Sequence, residues 1–403
     1  MPDWQSAAAA LIILHVGKFF PPFRGGLELY LRDLVAALGT RGVASAILVH
    51  RHDRSVLAEE DTVDLGGRPV QLVRAGTWFT LLFAPISPAF PLLLGRLIAS
   101  TRPDLLHLHL PNPSAFWALL LPSARRLPWL VHWHADVITA SQGWPMKLMY
   151  ALYRPFERAV LKRARAIIAT SPPYLESSQA LQPWRSKCRV VPLGLDPAGL
   201  TGNDPLDAAG EEPRTSLRVL AVGRLTYYKG FSYLLEAAAQ FDTLRVDLVG
   251  DGDRAAELRA LAESLGLLDR IVFHGTVDEA TLARLMSRCD CLCLPSIERT
   301  EAFGMVLLEA MSFGKATVVS DIQGSGMGWV VDHGVTGLKV PPADTGALVA
   351  AFRQLDADRT ALEAMGMRGR EKFNRLFEIG CSADAVLQIY RAVLMPTMDG
   401  TSP

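Results

Sequence analysis

Two short segments of this 403-residue chain carry side chains suited to a phosphorylated leaving group. The first is Val222-Gly223-Arg224-Leu225-Thr226-Tyr227-Tyr228-Lys229-Gly230, in which two cations stand five residues apart ahead of a helical pattern. Two fixed positive charges suit a diphosphate, and they act most strongly when its negative charge grows as the bond it leaves breaks. The second runs from Pro295 to Met311, PSIERTEAFGMVLLEAM, and places Glu301 and Glu309 eight residues apart. On one continuous helix, eight steps of ~100° would leave these carboxylates ~80° apart. Glu301 falls before the helix begins, so both can line one cleft. The helix start at Phe303, Gly304 and Met305 offers unpaired backbone N–H groups to phosphate or sugar hydroxyls. Glu309, one or two turns further in, can accept hydrogen bonds from both hydroxyls of a ribose.

Further candidates follow strands in the first half. Gly17 to Gly26 ends in the pair Gly25-Gly26 at the start of a helix near Leu27, where backbone amides can approach an anion closely; the same pair also serves as a plain turn. Leu130-Val131-His132-Trp133-His134-Ala135-Asp136 ends a strand in two histidines, and LLHLHLPNP places His107 and His109 at another strand end. A lone histidine in such a place is a structural residue as readily as a functional one. Gly250-Asp251-Gly252-Asp253 contains a DxD that could hold a divalent cation, but it reads as a tight turn after a strand, with Asp253 capping the next helix. With Arg224 and Lys229 to neutralise charge, no metal and no cofactor is required.

Parallel sheets wrapped by helices must position these segments, because short β-rich runs alternate with helical patterns throughout. The sequence predicts strands at Leu11–Val16, Ser45–His50, Pro69–Arg74, Leu105–His109, Trp129–Trp133 and Ala166–Thr170. A second set is predicted at Arg218–Val222, Arg245–Val249, Ile271–Phe273, Cys291–Leu294 and Thr317–Ser320. In such folds ligands bind beyond the carboxyl ends of the strands. Turn formers crowd Val190 to Arg214. The expected organisation is therefore a doubly wound α/β domain over residues 1–195, a hinge over 196–213, a second such domain over 214–380, and a terminal helix within 381–403 that crosses back to the first.

Composition narrows the class further. Half the residues are apolar and a fifth charged, which suits buried sheets rather than disorder. Five cysteines make no disulfide framework in a chain this long, and Cys289, Cys291 and Cys293 in CDCLCLP read as a buried strand. Residues 75–95 carry no charge, yet Pro85, Pro88 and Pro91 argue against a membrane helix. The formal charge is zero overall, but residues 1–195 hold 21 Lys+Arg against 12 Asp+Glu. Part of that excess lies between Lys147 and Arg165, interleaved with aromatic and apolar residues. This is either a helix for an anionic bilayer or an ordinary one with a solvated basic face. A reducing cytoplasm is expected, with possible attachment to the inner face of a membrane, and nothing reads as a nucleic-acid interface.

Taken together, Gly25-Gly26, Arg224 with Lys229, and the Glu301 to Glu309 segment resemble the retaining glycosyltransferases of family 4. The resemblance covers nearly the whole chain and implies the GT-B fold, with two Rossmann-like domains facing across a cleft. It implies that Glu301 touches a donor hexose, that Glu309 holds the ribose, and that Arg224 and Lys229 bind the diphosphate. It also implies that the amides of Phe303, Gly304 and Met305 contact the donor and that His134 meets the donor sugar. His107, His109 and His132 are then expected near the acceptor. HWHADV, TSPPYLESS and GSGMGWVVDHGVTGLKVPP further resemble bacterial mannosyl- or rhamnosyltransferases of surface polysaccharide assembly. This implies a GDP-linked hexose and a lipid-linked glycan acceptor. Rival readings are a sugar-nucleotide epimerase, a dehydrogenase, which lacks its GxGxxG after the first strand, and a silent binding protein.

Overall fold

Runs of aliphatic residues too short for helices and buried on both faces become parallel strands. In the computed structural model, which describes residues 11–23, 25–53, 55–81, 84–137, 143–199 and 216–395, they build two sheets in two units. The first unit takes the described residues up to Thr170, Ser178–Gly194 and the chain from Ile379; the second takes Ser171–Ser177 and Leu195–Glu378.

The first unit contains β1 (Ile12–Val16), β2 (Ala44–His50), β3 (Glu59–Leu65), β4 (Arg68–Ala75), β5 (Phe79–Leu81), β6 (Ala84–Ile86), β7 (Leu105–Leu110), β8 (Trp129–Trp133), β9 (Ala166–Ala169) and β10 (Cys188–Val190). Its main sheet has the order β10-β9-β8-β7-β1-β2-β4-β3 and is parallel except for the β3–β4 pair. β5 and β6 form a separate small hairpin within the uncharged stretch, and no described helix is long and apolar enough to cross a membrane. Two helices of this unit, Gly26–Thr40 and Ile379–Leu394, pack on one another, with Tyr30 Oη 2.8 Å from Ser382 Oγ. The terminal helix thus begins two residues before the expected Cys381.

The second unit contains β11 (Leu217–Val222), β12 (Leu244–Val249), β13 (Ile271–Gly275), β14 (Cys291–Leu294), β15 (Ala316–Ser320) and β16 (Gly337–Val340), in the order β13-β12-β11-β14-β15-β16, all parallel. Cys289, Cys291 and Cys293 are buried within it, and burial pushes each thiol up. Leu195 belongs here, because its amide donates to the Phe377 carbonyl at 3.0 Å. The boundary therefore falls one residue earlier than expected, and residues 200–213 of the predicted hinge lie outside the described residues. One local reading is corrected. Arg254, not Asp253, takes the cap position of the helix Ala255–Ser264, with no side-chain bond at the cap. The turn is fastened by main chain instead: the Arg254 amide donates to the Leu225 carbonyl at 2.9 Å.

Candidate active site

The strand order of the second sheet reverses between β11 and β14, and in open α/β sheets ligands bind at the carboxyl ends of the strands beside such a reversal. The two loops that carry the sequence candidates are the ones at that point. Main chain and side chains both join them: the Ile297 amide donates to the Tyr228 carbonyl at 2.8 Å, and the Tyr227 hydroxyl donates to the Glu298 carboxylate at 2.6 Å. Such close approach needs glycine. A Cβ on Gly230, whose φ is +66°, would stand 2.1 Å from the Pro295 carbonyl oxygen, and one on Gly250 would stand 1.9 Å from that of Gly223.

Lys229 and Glu301 meet here as an ion pair, one from each loop, with side-chain exposures of 11% and 12%. Ser296 Oγ donates to the same Glu301 oxygen at 3.3 Å. Burial alone draws the Lys229 ammonium down, but the Glu301 carboxylate, with Tyr228 adding to it, outweighs that and raises it, so the cation stays charged. Arg224 is exposed and close enough for its charge to act on Lys229 and Tyr228. The arrangement is a cluster of two cations with one carboxylate tethering the inner one.

Gly304 takes a left-handed conformation, φ +81°, immediately before the helix Met305–Ser312, and the first amides of that helix follow it. Phe303 is buried behind it, and Glu309 lies buried one turn beyond Met305. The Glu301 loop is held from its other side as well. Ser325 Oγ donates to the Glu301 carbonyl at 2.5 Å, and the Gly326 amide to the Ala302 carbonyl at 2.7 Å. Arg299 lies over the Tyr174 ring at 4.2 Å and donates to Ser177 Oγ at 2.9 Å, fastening the segment to Ser171–Ser177. Sequence reading missed Tyr227, Tyr228, Ser296, Glu298 and Arg299 as supports. Their only signal was position, beside the cations and the first glutamate.

The first-half candidates fare differently. Gly25 caps the helix Gly26–Thr40 as expected, but Glu28 folds back over that helix start, its carboxylate oxygen 2.2 Å from where a Gly25 Cβ would be. His107, His109 and His132 are 0%, 7% and 0% exposed, which corrects the expectation that they meet an acceptor. The alternation of β7 places His107 and His109 on one sheet face, and the helices carrying Tyr30 and Tyr390 cover it. His107 Nδ1 stands 2.6 Å from Tyr390 Oη, and the Tyr30 ring lies edge-on to His132. His134 does follow β8, but its ring is turned inward, Nε2 lying 3.0 Å from His109 Nδ1, and it is 4% exposed.

Two parallel-sheet units, with the last helix of the chain returned to the first, define the GT-B class of glycosyltransferases. The chain belongs to this enzyme family: the family described as Glycosyl transferases group 1 matches residues 204–372, and the Glycosyl transferase 4-like domain matches residues 25–194. Among curated relatives, D-rhamnosyltransferase WbpZ of Pseudomonas aeruginosa is 32% identical over 374 residues, covering 91% of this chain and 92% of the relative. O-antigen chain mannosyltransferase C of Escherichia coli is 29% identical over 388 residues, 95% and 98% of the two chains. Of solved structures, sucrose-phosphate synthase from Thermosynechococcus elongatus superposes with a TM-score of 0.76 at 24% identity, covering 95% of this chain and 99% of that one. WaaG, a glycosyltransferase of lipopolysaccharide biosynthesis, gives 0.70 at 17% identity over 94% and 99%. These two likenesses concern the fold.

Proposed function

We propose that this chain is a retaining hexosyltransferase that moves mannose or rhamnose from a GDP-linked donor to a hydroxyl of a lipid-linked glycan in surface polysaccharide synthesis. The observation that carries this reading is the Lys229–Glu301 pair at the sheet's switch point, beside the start of the Met305 helix. Lys229, Arg224 and the first amides of that helix bind the diphosphate, and Glu301 orients the hexose while Glu309 accepts from the ribose. As the bond from the anomeric carbon to phosphate breaks, charge collects on the leaving oxygen, where these groups act most strongly. The acceptor oxygen bonds to the same face of that carbon, and its proton passes to the leaving phosphate oxygen, so no separate base is needed. Retention follows from the family resemblance. The cations and amides supply the neutralisation, which makes the reaction metal-independent, and activity is expected to survive complete chelation.

The mannosyl- and rhamnosyltransferase names of the two curated relatives support the sugar, and hence a GDP-linked donor. A thermal-shift series with GDP, UDP and ADP tests this, since at a concentration 100 times its Kd a nucleotide adds about 2.7 kcal/mol. GDP is expected to raise Tm most; an equal response to all three removes the assignment. Release of GDP from GDP-mannose or GDP-rhamnose with and without a glycan acceptor separates transfer from epimerisation.

The first unit supports the lipid-linked acceptor. Trp144, Leu148, Leu152 and Phe156 are spaced four residues apart on the helix Gly143–Arg163 and are 74%, 54%, 61% and 51% exposed. Lys147, Arg154, Arg158 and Lys162 are exposed beside them. An apolar stripe flanked by cations suits the inner face of an anionic membrane, each cation adding about 1 kcal/mol near the surface. Vesicles containing anionic lipid are expected to sediment the protein, and Leu152→Glu with Phe156→Glu to release it. Equal binding to zwitterionic vesicles, or none to either, would remove this placement.

A further inference from the structure

Five histidines share one covered face of the first sheet, and three of them form a row. His15 on β1, His109 on β7 and His134 beyond β8 come from adjacent strands. His15 Nδ1 lies 3.3 Å from His109 Nε2, and His109 Nδ1 lies 3.0 Å from His134 Nε2. The corresponding ring centroids are 5.6 and 5.3 Å apart, each exceeding the nitrogen separation by the same margin, about one ring width. The nitrogens therefore meet head-on, in the geometry of hydrogen bonds. Two trios, His15 with His107 and His109, and His109 with His132 and His134, also bring nitrogens within 4.8 Å, a spacing a metal could use. Ligands of one ion converge on it at an angle, whereas these nitrogens point at each other, so the row reads as hydrogen-bonded imidazoles.

Burial holds all three rings neutral, pushing His15 and His134 well below the usual histidine range and His109 down to about 3. The rings facing the row are His107 and His132, with Tyr30 edge-on to His134, its hydroxyl on Ser382, and Tyr390 on His107. A neutral imidazole carries one N–H and one lone pair. Each contact joins an Nδ1 to an Nε2, which leaves the row two proton arrangements. If His15 donates from Nδ1, His109 accepts at Nε2 and donates from Nδ1, and His134 carries its proton on Nδ1. In the reverse sense all three protons sit on Nε2. No one ring can change tautomer without the other two.

We propose that His109 is a positioning residue that couples these rings, so that the outer nitrogen of His134, Nδ1, is presented as a fixed donor or a fixed acceptor. That nitrogen, outer only in its place in the row, is itself buried and has no hydrogen-bond partner among the described residues. The consequence for catalysis rests on the reading that His134 meets the transferred hexose.

Long-range proton–nitrogen spectra of the full chain labelled at histidine test the row directly. The three rings are expected to be neutral and to share one tautomer from about pH 6 to pH 8. Opposite tautomers in His15 and His134, a charged ring in the row, or one equivalent of transition metal in the purified protein overturns the proposal. His109→Phe keeps a ring but removes both bonds, and is expected to unlock the His134 tautomer and lower kcat about tenfold with little change in donor KM. His109→Gln restores one donor and one acceptor and is expected to recover most of that loss; no recovery counts against the coupling. His134→Phe separates the two layers. If it leaves kcat unchanged while the shared tautomer stands, the hexose reading fails and the row does not.

Discussion

Acidification from pH 7 to pH 5 is expected to unfold this protein. Six histidines, His15, His50, His107, His109, His132 and His134, are buried, and burial depresses each, His50 to about 3 with Lys18 adding to the effect. The sign is that of a cation lost on folding. Above about pH 6.5 folded and unfolded chains both hold these rings neutral, and below it the unfolded chain binds protons that the folded one refuses. Stability is thus fully present above the unfolded value and falls with pH towards the folded value. Each ring contributes about 1.4 kcal/mol per pH unit, so six give a limit of about 8 kcal/mol per unit. Glu157 works in the other direction, since burial pushes its carboxyl up to about 7 and the folded chain takes up that proton first. It offsets roughly one ring. A domain stability of about 5 to 15 kcal/mol does not survive that slope for long. Urea midpoints measured in half-unit steps of pH check this, and a slope of one proton or less would show that the rings are hydrated or charged in the folded state.

Lys229→Ala is expected to lower kcat by about 10² to 10³, the usual effect of removing one preorganised group from the developing charge of a leaving atom. The substitution also strands the Glu301 carboxylate, so donor affinity should weaken alongside. Gly223 supplies an independent route to a milder defect of the same kind. Its φ is +156°, and a Cβ there would stand 3.2 Å from both Cε and Nζ of Lys229. Gly223→Ala should therefore shift the ammonium by a few tenths of an ångström without removing it and cause a smaller loss, while Lys229→Arg has no room for its broader head and should not rescue. Initial rates with saturating donor, and Tm as a control for folding, distinguish the outcomes. A Lys229→Ala enzyme within threefold of wild type would remove this residue from the machinery.

The eleven strands read from the sequence all exist, because aliphatic runs between turn formers are the signature of a buried parallel sheet. The others, β3, β5, β6, β10 and β16, lacked that signature. β3 is EEDTVDL, a largely exposed edge strand whose acidic residues hide its period, and β16 is only GLKV. That Lys229 and Glu301 belong to one site was legible for a different reason, since both follow strands that neighbour each other at the reversal of sheet order, but their ion pair was not foreseen. His107, His109 and His132 were misread because period-two alternation tells which face a side chain takes but not what covers that face. Tyr30 and Tyr390, 360 residues apart in the chain, supply the cover.

The glycines that let main chain touch main chain around β11, β12 and β14 have a consequence for change. With the course of these turns set largely by peptide groups, the exposed side chain of Arg224 adds charge to a scaffold that it does not hold up. Substitutions at Arg224 should therefore keep the fold while weakening the grip on a diphosphate, which separates the frame of this corner from the charge it carries.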